Sequence, residues 1–434
     1  MAMSSLANVG KVCARRGMGK MATRSMASEP WSYTPAGRNH LFVPGPTNIN
    51  DKVLRAMMVQ GQNHRDPSSA WMVDGLLKDL KYIFKTASAQ PFIFPATGTG
   101  AWESALVNCL SPGDKVLAVR KGTFSHLWIE QSKKLGLDVT VLNVPWGHGA
   151  DEAEIEKVLK ADVNKEYKAV LLVHNETTCG VTSNVPGVRA AIDNADHPAL
   201  FFVDGVSSIG ALEFKFDEWK VDVAITGSQK ALSLPPGLAL TCVSDKAMEA
   251  RKTSTMPKFF FEYQQMLDMY EKKTFPYTPA IPLLHGLRAA LDLYMEEGID
   301  NTIARHSRFG EGTRKAVEAW GLELLCADPR WNSNSLTVIK VPEGIDSGDI
   351  VKTAYCKYNL SIGVGLMEVQ GKVFRIGHLG DMNEVSLLGA LAGVEMTMID
   401  CGIPIVPGSG VGAAVKYFQE TSSVIPTREM PGVK

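Results

Sequence analysis

The chain has 434 residues, 45% of them hydrophobic and 21% charged, with a formal net charge of −1. That length suits two or three domains with ample cores, and the near-even charge argues against nucleic-acid or membrane-surface binding. Seven cysteines occur without a C-x-x-C pair, so neither a zinc site nor a disulfide framework is expected and a reduced intracellular compartment is the natural reading. No apolar run approaches the length of a membrane span.

Residues 1–28 carry Lys11, Arg15, Arg16, Lys20 and Arg24, with no acid before Glu29 and much serine, alanine and methionine. This pattern predicts a cleavable organellar transit segment. The chain ends Pro431-Gly432-Val433-Lys434, which is not a Ser-Lys-Leu address. A mitochondrial location is expected, with the chloroplast or peroxisome as alternatives.

His40 to Asn48 contains Pro44-Gly45-Pro46, an extended, stiff segment unlike a helix or a central strand. Asn63-His64-Arg65-Asp66-Pro67 reads as a loop in which Arg65, taken alone, is a solvated charge. Pro91 to Pro95 then enters as a strand, followed by Thr97-Gly98-Thr99-Gly100 and an apolar-periodic helix from about Ala101. Free backbone N–H groups and hydroxyls at a helix start suit a phosphate. A dinucleotide loop is the rival, but Glu103 stands where its third small residue belongs. The strand Lys115–Val119 precedes Phe124, which in isolation reads as core. Ala169–Val173 leads into His174-Asn175-Glu176-Thr177, a second apolar strand opening into a polar loop.

Leu200 to Val203 is a continuous apolar run ending in Asp204 and Gly205. Such a run predicts an interior parallel strand whose carboxyl end presents an acid at the ligand crevice of an α/β fold. A helix cap or a metal ligand are the other readings of that acid. After another short strand, Val221–Ile225, comes Ser228-Gln229-Lys230-Ala231-Leu232 and then Pro235-Pro236-Gly237. The prolines and glycine force a defined loop, and a lysine stripped of water there becomes nucleophilic toward carbonyls. A pocket lysine paired with a strand-end acid points to pyridoxal phosphate, which takes the lysine as a Schiff base and a carboxylate at its ring nitrogen. Farther on, Phe275 to Pro282 is proline-broken and holds Thr278. Leu284–Glu297 is an amphipathic helix closed by Gly298, and a helical stretch, 301–321, follows. Leu336–Val341 and Val373–Ile376 are candidate strands of a smaller unit. Arg375 lies inside the last of these, where an unpaired charge is costly and needs either an internal acid or a ligand.

Asp204-Gly-Val-Ser-Ser and Ser228-Gln-Lys-Ala-Leu, with the other motifs in order from about His40 to Thr421, resemble the class V aminotransferases of fold type I, in particular their plant-type serine/alanine–glyoxylate group. The resemblance implies an α/β fold with a mostly parallel central sheet in a large domain (29–300) and a smaller C-terminal α/β domain (301–434), the boundary falling between Asp300 and Arg308. It implies that Thr97, Gly98 and Thr99 hold the cofactor phosphate, Phe124 stacks on the ring, Thr177 bonds the phenolic oxygen, and Asp204 pairs with the ring nitrogen. Gln229 joins these contacts, and Lys230 is both anchor and proton shuttle. Arg375 would clamp the substrate α-carboxylate. Across a homodimer interface, Thr278 would reach the neighbour's phosphate and Arg65 the neighbour's substrate. Such relatives carry tyrosine where this chain has His64. His174 and Glu176 are expected to scaffold their loop. The implied reaction moves an amino group from serine, alanine or asparagine to glyoxylate in photorespiration, giving glycine and hydroxypyruvate or pyruvate. A cysteine desulfurase or lyase shares the fold but needs a mobile catalytic cysteine, and neither Cys326 nor Cys356 sits in such a loop signature. A nucleotide-dependent dehydrogenase is the remaining rival.

Overall fold

The structure, a computed structural model, describes residues 37–424; the leader expected at residues 1–28 and the C-terminal tetrapeptide lie outside them. The fold described here is that of the compact unit beginning at Asn39.

Its strands, in chain order, are β1 (His40–Phe42), β2 (Gln90–Phe94), β3 (Lys115–Arg120), β4 (Asp138–Asn143), β5 (Tyr167–Val173), β6 (Asn175–Glu176), β7 (Val181–Thr182), β8 (Leu200–Asp204), β9 (Val223–Gly227), β10 (Ala239–Val243), β11 (Leu336–Lys340), β12 (Leu360–Val364) and β13 (Val373–Gly377). Seven form a central sheet in the order β2-β10-β9-β8-β5-β3-β4. Pairings from β4 through β9 are parallel. Strand β10 runs against both β9 and β2, so every strand of the sheet but β10 points the same way. The apolar runs explain the burial. Phe201 and Phe202 on β8 and Val170 on β5 have no exposed surface, because helices cover both faces of a parallel sheet. Each phenylalanine buried in this way contributes roughly 2 kcal/mol.

A second sheet has the order β1-β12-β13-β11 and its own hydrophobic core, built on Phe309, Phe374, Ile376, Leu391 and Phe418. Helix Ile281–Glu297 ends at Gly298, whose φ of +83° favours glycine, and helix Ile299–Ala319 starts at once. Ile299 packs in the first core and Phe309 in the second, so this one helix ties the two sheets together.

Several elements differ from the sequence reading in extent. The segment from His40 is not merely extended: its first three residues pair in parallel with β12, His40 opposite Leu360. Three residues before a Pro-Gly-Pro stop are too few for a strand period to show. The helix expected from Ala101 begins at Gly98, because both glycines of the turn adopt its first-turn geometry. Helix Ile281–Glu297 starts three residues before Leu284, and Pro282 is compatible with a first turn, where no N–H is needed. Residues 256–274, for which no regular element is expected from the sequence, contain the helix Tyr263–Glu271.

Candidate active site

Strands β2, β3, β5, β8 and β9 share one direction, so their carboxyl ends meet at one edge, the place where open α/β sheets bind ligands. A cavity of about 290 Å³ opens there, lined by Thr97, Gly98, Thr99, Phe124, Thr177, Asp204, Gln229 and Lys230. Eight residues singled out from separate stretches of sequence thus share one wall.

Lys230 lies in the turn that follows β9. Its loop is pinned by the Ser228 hydroxyl, which donates to the Pro235 carbonyl (2.7 Å) and accepts from Leu238 N (3.1 Å). The amino-terminal segment lies across it: Thr47 Oγ1 donates to the Lys230 carbonyl (2.9 Å), and the lysine ammonium donates to the Pro44 carbonyl. Gly45 is needed there, since a β-carbon would collide with Lys230 Nζ. Burial, and then the Arg375 charge, push the Lys230 ammonium down to about 8, against the opposing pull of Asp204. An amine so placed spends an appreciable fraction of time unprotonated near neutral pH.

Asp204, at the end of β8 and 4% exposed, accepts a hydrogen bond from Val206 N at 2.8 Å. Burial pushes its carboxyl up to about 7, with Glu176 adding to the rise and Val206 N, Trp102 and Lys230 opposing it. The indole NH of Trp102 stands close enough to this carboxylate to favour its charged form but outside good hydrogen-bond geometry, and Gln229 Oε1 is a buried polar atom without a partner. At the other end of the cavity, helix Gly98–Cys109 opens with Thr97 in extended conformation and no side-chain cap, so its first N–H groups are available to an anion. A β-carbon on Gly98 would come within 2.8 Å of Val206 Cγ2.

Phe124 is the second residue of helix Thr123–Lys134, and Thr177 sits in the loop after β6. Arg375, in the middle of β13, is 7% exposed and reaches that loop. Its Nε donates to Val364 O (2.8 Å) and its Nη1 to Thr177 O (3.0 Å). Both hydrogen bonds go to carbonyls rather than to an acid, which leaves three of the five guanidinium N–H groups for other partners. Burial lowers its pKa to about 10. Arg375 is outside the immediate lining but close enough to act on Lys230. Arg65 and Thr278 are on the exposed surface of the protomer and do not line the cavity. His64, beside Arg65, is buried with its Nε2 unpaired.

His174 is held near 3 by burial and by Lys121, so it stays neutral at physiological pH and serves no acid–base role there. Cys179 donates to the Lys121 carbonyl (3.2 Å), and burial pushes its thiol up to about 12. No cysteine lines the cavity. Sequence reasoning passed over Trp102, Asn175, Ser207 and the Pro44 carbonyl. A signal for Trp102 existed: it is four residues after Gly98 on the same helix and therefore on the same face.

The profile of the family described as Aminotransferase class-V matches residues 40–367. The chain belongs to the class V aminotransferases. A serine–glyoxylate aminotransferase of Methylorubrum extorquens is 55% identical, covering 88% of this chain and 97% of the relative. One of Arabidopsis thaliana is 54% identical over 92% and 99%. The crystal structure of pyridoxamine–pyruvate aminotransferase from Mesorhizobium loti superposes with a TM-score of 0.84 at 26% identity, over 90% of this chain and 99% of that one. As a class V aminotransferase the chain has the fold of type I pyridoxal-phosphate enzymes, and pyridoxal phosphate is its cofactor. The cavity fits that group: a desolvated amine, a buried acid set apart from it, an uncapped helix N-terminus, and the orphaned polar atoms of Trp102 and Gln229.

Proposed function

We propose that this aminotransferase moves the amino group of L-serine, and less selectively of L-alanine or L-asparagine, to glyoxylate, releasing glycine and the matching 2-oxo acid in photorespiratory metabolism. The observation that carries this reading is identity above one half, over nearly the whole of both chains, to two serine–glyoxylate aminotransferases. A cavity of about 290 Å³ that must also admit the cofactor supports small substrates.

When bound, pyridoxal phosphate supplies an aldehyde that condenses with amines and a heterocycle that takes up the electron pair released at the substrate Cα. Lys230 would hold the cofactor's aldehyde, and its amine, when unprotonated, could take and return the proton at the substrate Cα. The Asp204 carboxylate, poorly hydrated, gains most from a cationic partner and so keeps a proton on the ring nitrogen. The N–H groups opening helix Gly98–Cys109 and the Thr97 and Thr99 hydroxyls bind the phosphate. Arg375 takes the substrate carboxylate with its unused N–H groups and orients the reacting C–H bond. Thr177 and Phe124, which line the same cavity, would hold the ring.

The reading extends to quaternary structure and location. Arg65 and Thr278 are exposed and apart from their own cavity, and Phe259 nearby is 74% exposed; this supports a homodimer in which both residues complete the partner's site. The basic, acid-free leader supports import into mitochondria. The purified protein should show a visible band that borohydride fixes to Lys230 and that Lys230→Ala lacks. Serine followed by glyoxylate should discharge and restore it. Glyoxylate failing as acceptor with serine, alanine and asparagine alike would sink the substrate assignment; absence of the band would sink the reaction class.

A further inference from the structure

We propose that Glu176 is a positioning residue whose buried carboxylate locks the segment bearing Phe124 to the segment bearing Thr177, and through Thr177 sets the substrate arginine. The proposal rests on reading the cavity as the cofactor site. Glu176 has no exposed surface and does not line that cavity. Its Oε1 accepts from Phe124 N (3.3 Å), Thr178 N (3.2 Å) and Thr178 Oγ1 (2.8 Å). Its Oε2 accepts from Ser125 N (3.0 Å) and Ser125 Oγ (3.1 Å).

Helix Thr123–Lys134 is preceded by Gly122, which has no side chain to cap it. The capping carboxylate therefore comes from a distant loop, where the helix end favours negative charge. Gly122 makes room for it: a β-carbon there would lie 2.5 Å from Glu176 Cδ and Cγ. The same acid holds Thr178 N, so the peptide between Thr177 and Thr178 is fixed. The Thr177 carbonyl in that peptide receives Arg375 Nη1. One side chain thus sets the aromatic plate, the ring-edge hydroxyl and the guanidinium relative to each other without touching substrate or cofactor.

Glu176→Gln keeps the shape but turns one end of the group into a donor facing donors. Gly122→Ala keeps the carboxylate intact and pushes it aside. For both, the dissociation constant for pyridoxal phosphate should rise about 10- to 100-fold, as expected for losing charge-assisted hydrogen bonds. The visible circular dichroism per bound cofactor should weaken, and KM for the amino donor should rise more than kcat falls. A purely structural role would lower only the melting midpoint of the cofactor-free protein. Wild-type constants and dichroism in the variants would overturn the proposal, whatever happens to melting; should Glu176→Gln not fold, Gly122→Ala decides alone. Wild-type protein without a borohydride-trapped chromophore would instead overturn the aminotransferase reading, and this proposal with it.

Discussion

Asp204→Asn separates the cost of the site to the fold from its use in catalysis. In the cofactor-free protein burial raises this carboxyl from 3.8 to about 7. Holding it ionised above that pH therefore costs on the order of 4 kcal/mol relative to the unfolded chain. The sign follows from the direction of the shift. The folded state binds the proton more tightly, so the favourable contribution is complete below about pH 4 and is lost as pH rises to about pH 7. Asparagine has no charge to hold and keeps an oxygen for Val206 N, so cofactor-free Asp204→Asn should be more stable than wild type at pH 8, by an amount approaching that figure. The gain should shrink toward zero by about pH 4. If Asp204 pairs with the ring nitrogen as proposed, the same substitution should weaken cofactor binding and lower kcat by at least about 100-fold, through loss of the anionic partner. Denaturant titration of both stripped proteins at several pH values, with spectrophotometric cofactor titration, measures the two effects. A variant no more stable than wild type at pH 8, or a gain independent of pH, would refute the assignment of Asp204 as a strained, desolvated acid.

Arg375→Lys keeps a charge but loses the planar fork that reaches Val364 O and Thr177 O and, on the proposed reading, would take the substrate carboxylate as well; kcat/KM should fall by about 100- to 10,000-fold, and a loss under tenfold in steady-state assays would exclude it as the substrate clamp. Lys121 is fully buried, with its ammonium on Ser183 Oγ and the His174 carbonyl, and burial lowers its pKa from 10.5 to about 8. Its favourable contribution is present above about pH 10.5 and lost as pH falls through about 8. Lys121→Met should therefore raise the unfolding free energy at pH 7, by up to about 3 kcal/mol, and the gain should fade toward pH 10 in denaturant titrations. Gly45→Ala places a methyl group against Lys230 Nζ in a left-handed backbone (φ +107°); the fraction of cofactor fixed to the lysine by borohydride should drop severalfold, read by mass spectrometry.

The chemistry was legible where residue type and local pattern agree. Asp204 ends an apolar run that can only be an interior strand, and Lys230 is hemmed by turn formers, so both stood out with no neighbours in view. Some companions did not. Trp102 reads as one more apolar residue of a helix. Glu176 reads as a scaffold of its own loop, as its hydrogen bonds with Thr178 make it, but its hold on Phe124 and Ser125 emerges only once the fold brings that helix end to it. The Pro44 carbonyl is a main-chain atom without any side-chain signature. Arg375 left two readings open, an internal salt bridge or a ligand clamp. Its hydrogen bonds to the carbonyls of Val364 and Thr177 remove the first.

Hydrophobic period, turn chemistry and the types of the titratable residues were enough to establish alternating strands and helices, a strand ending in Asp204, and a lysine set in a turn-rich loop. Those are local properties, written within a few residues of each other. Which strands become neighbours, that β1 crosses to the second sheet, and that β10 alone runs backwards depend on pairings between distant segments, for which one chain's local pattern holds no register. The lowered Lys230 and raised Asp204 pKa values belong to the same class: desolvation is set by what the rest of the chain packs around a group, so it exists only once the tertiary structure has closed.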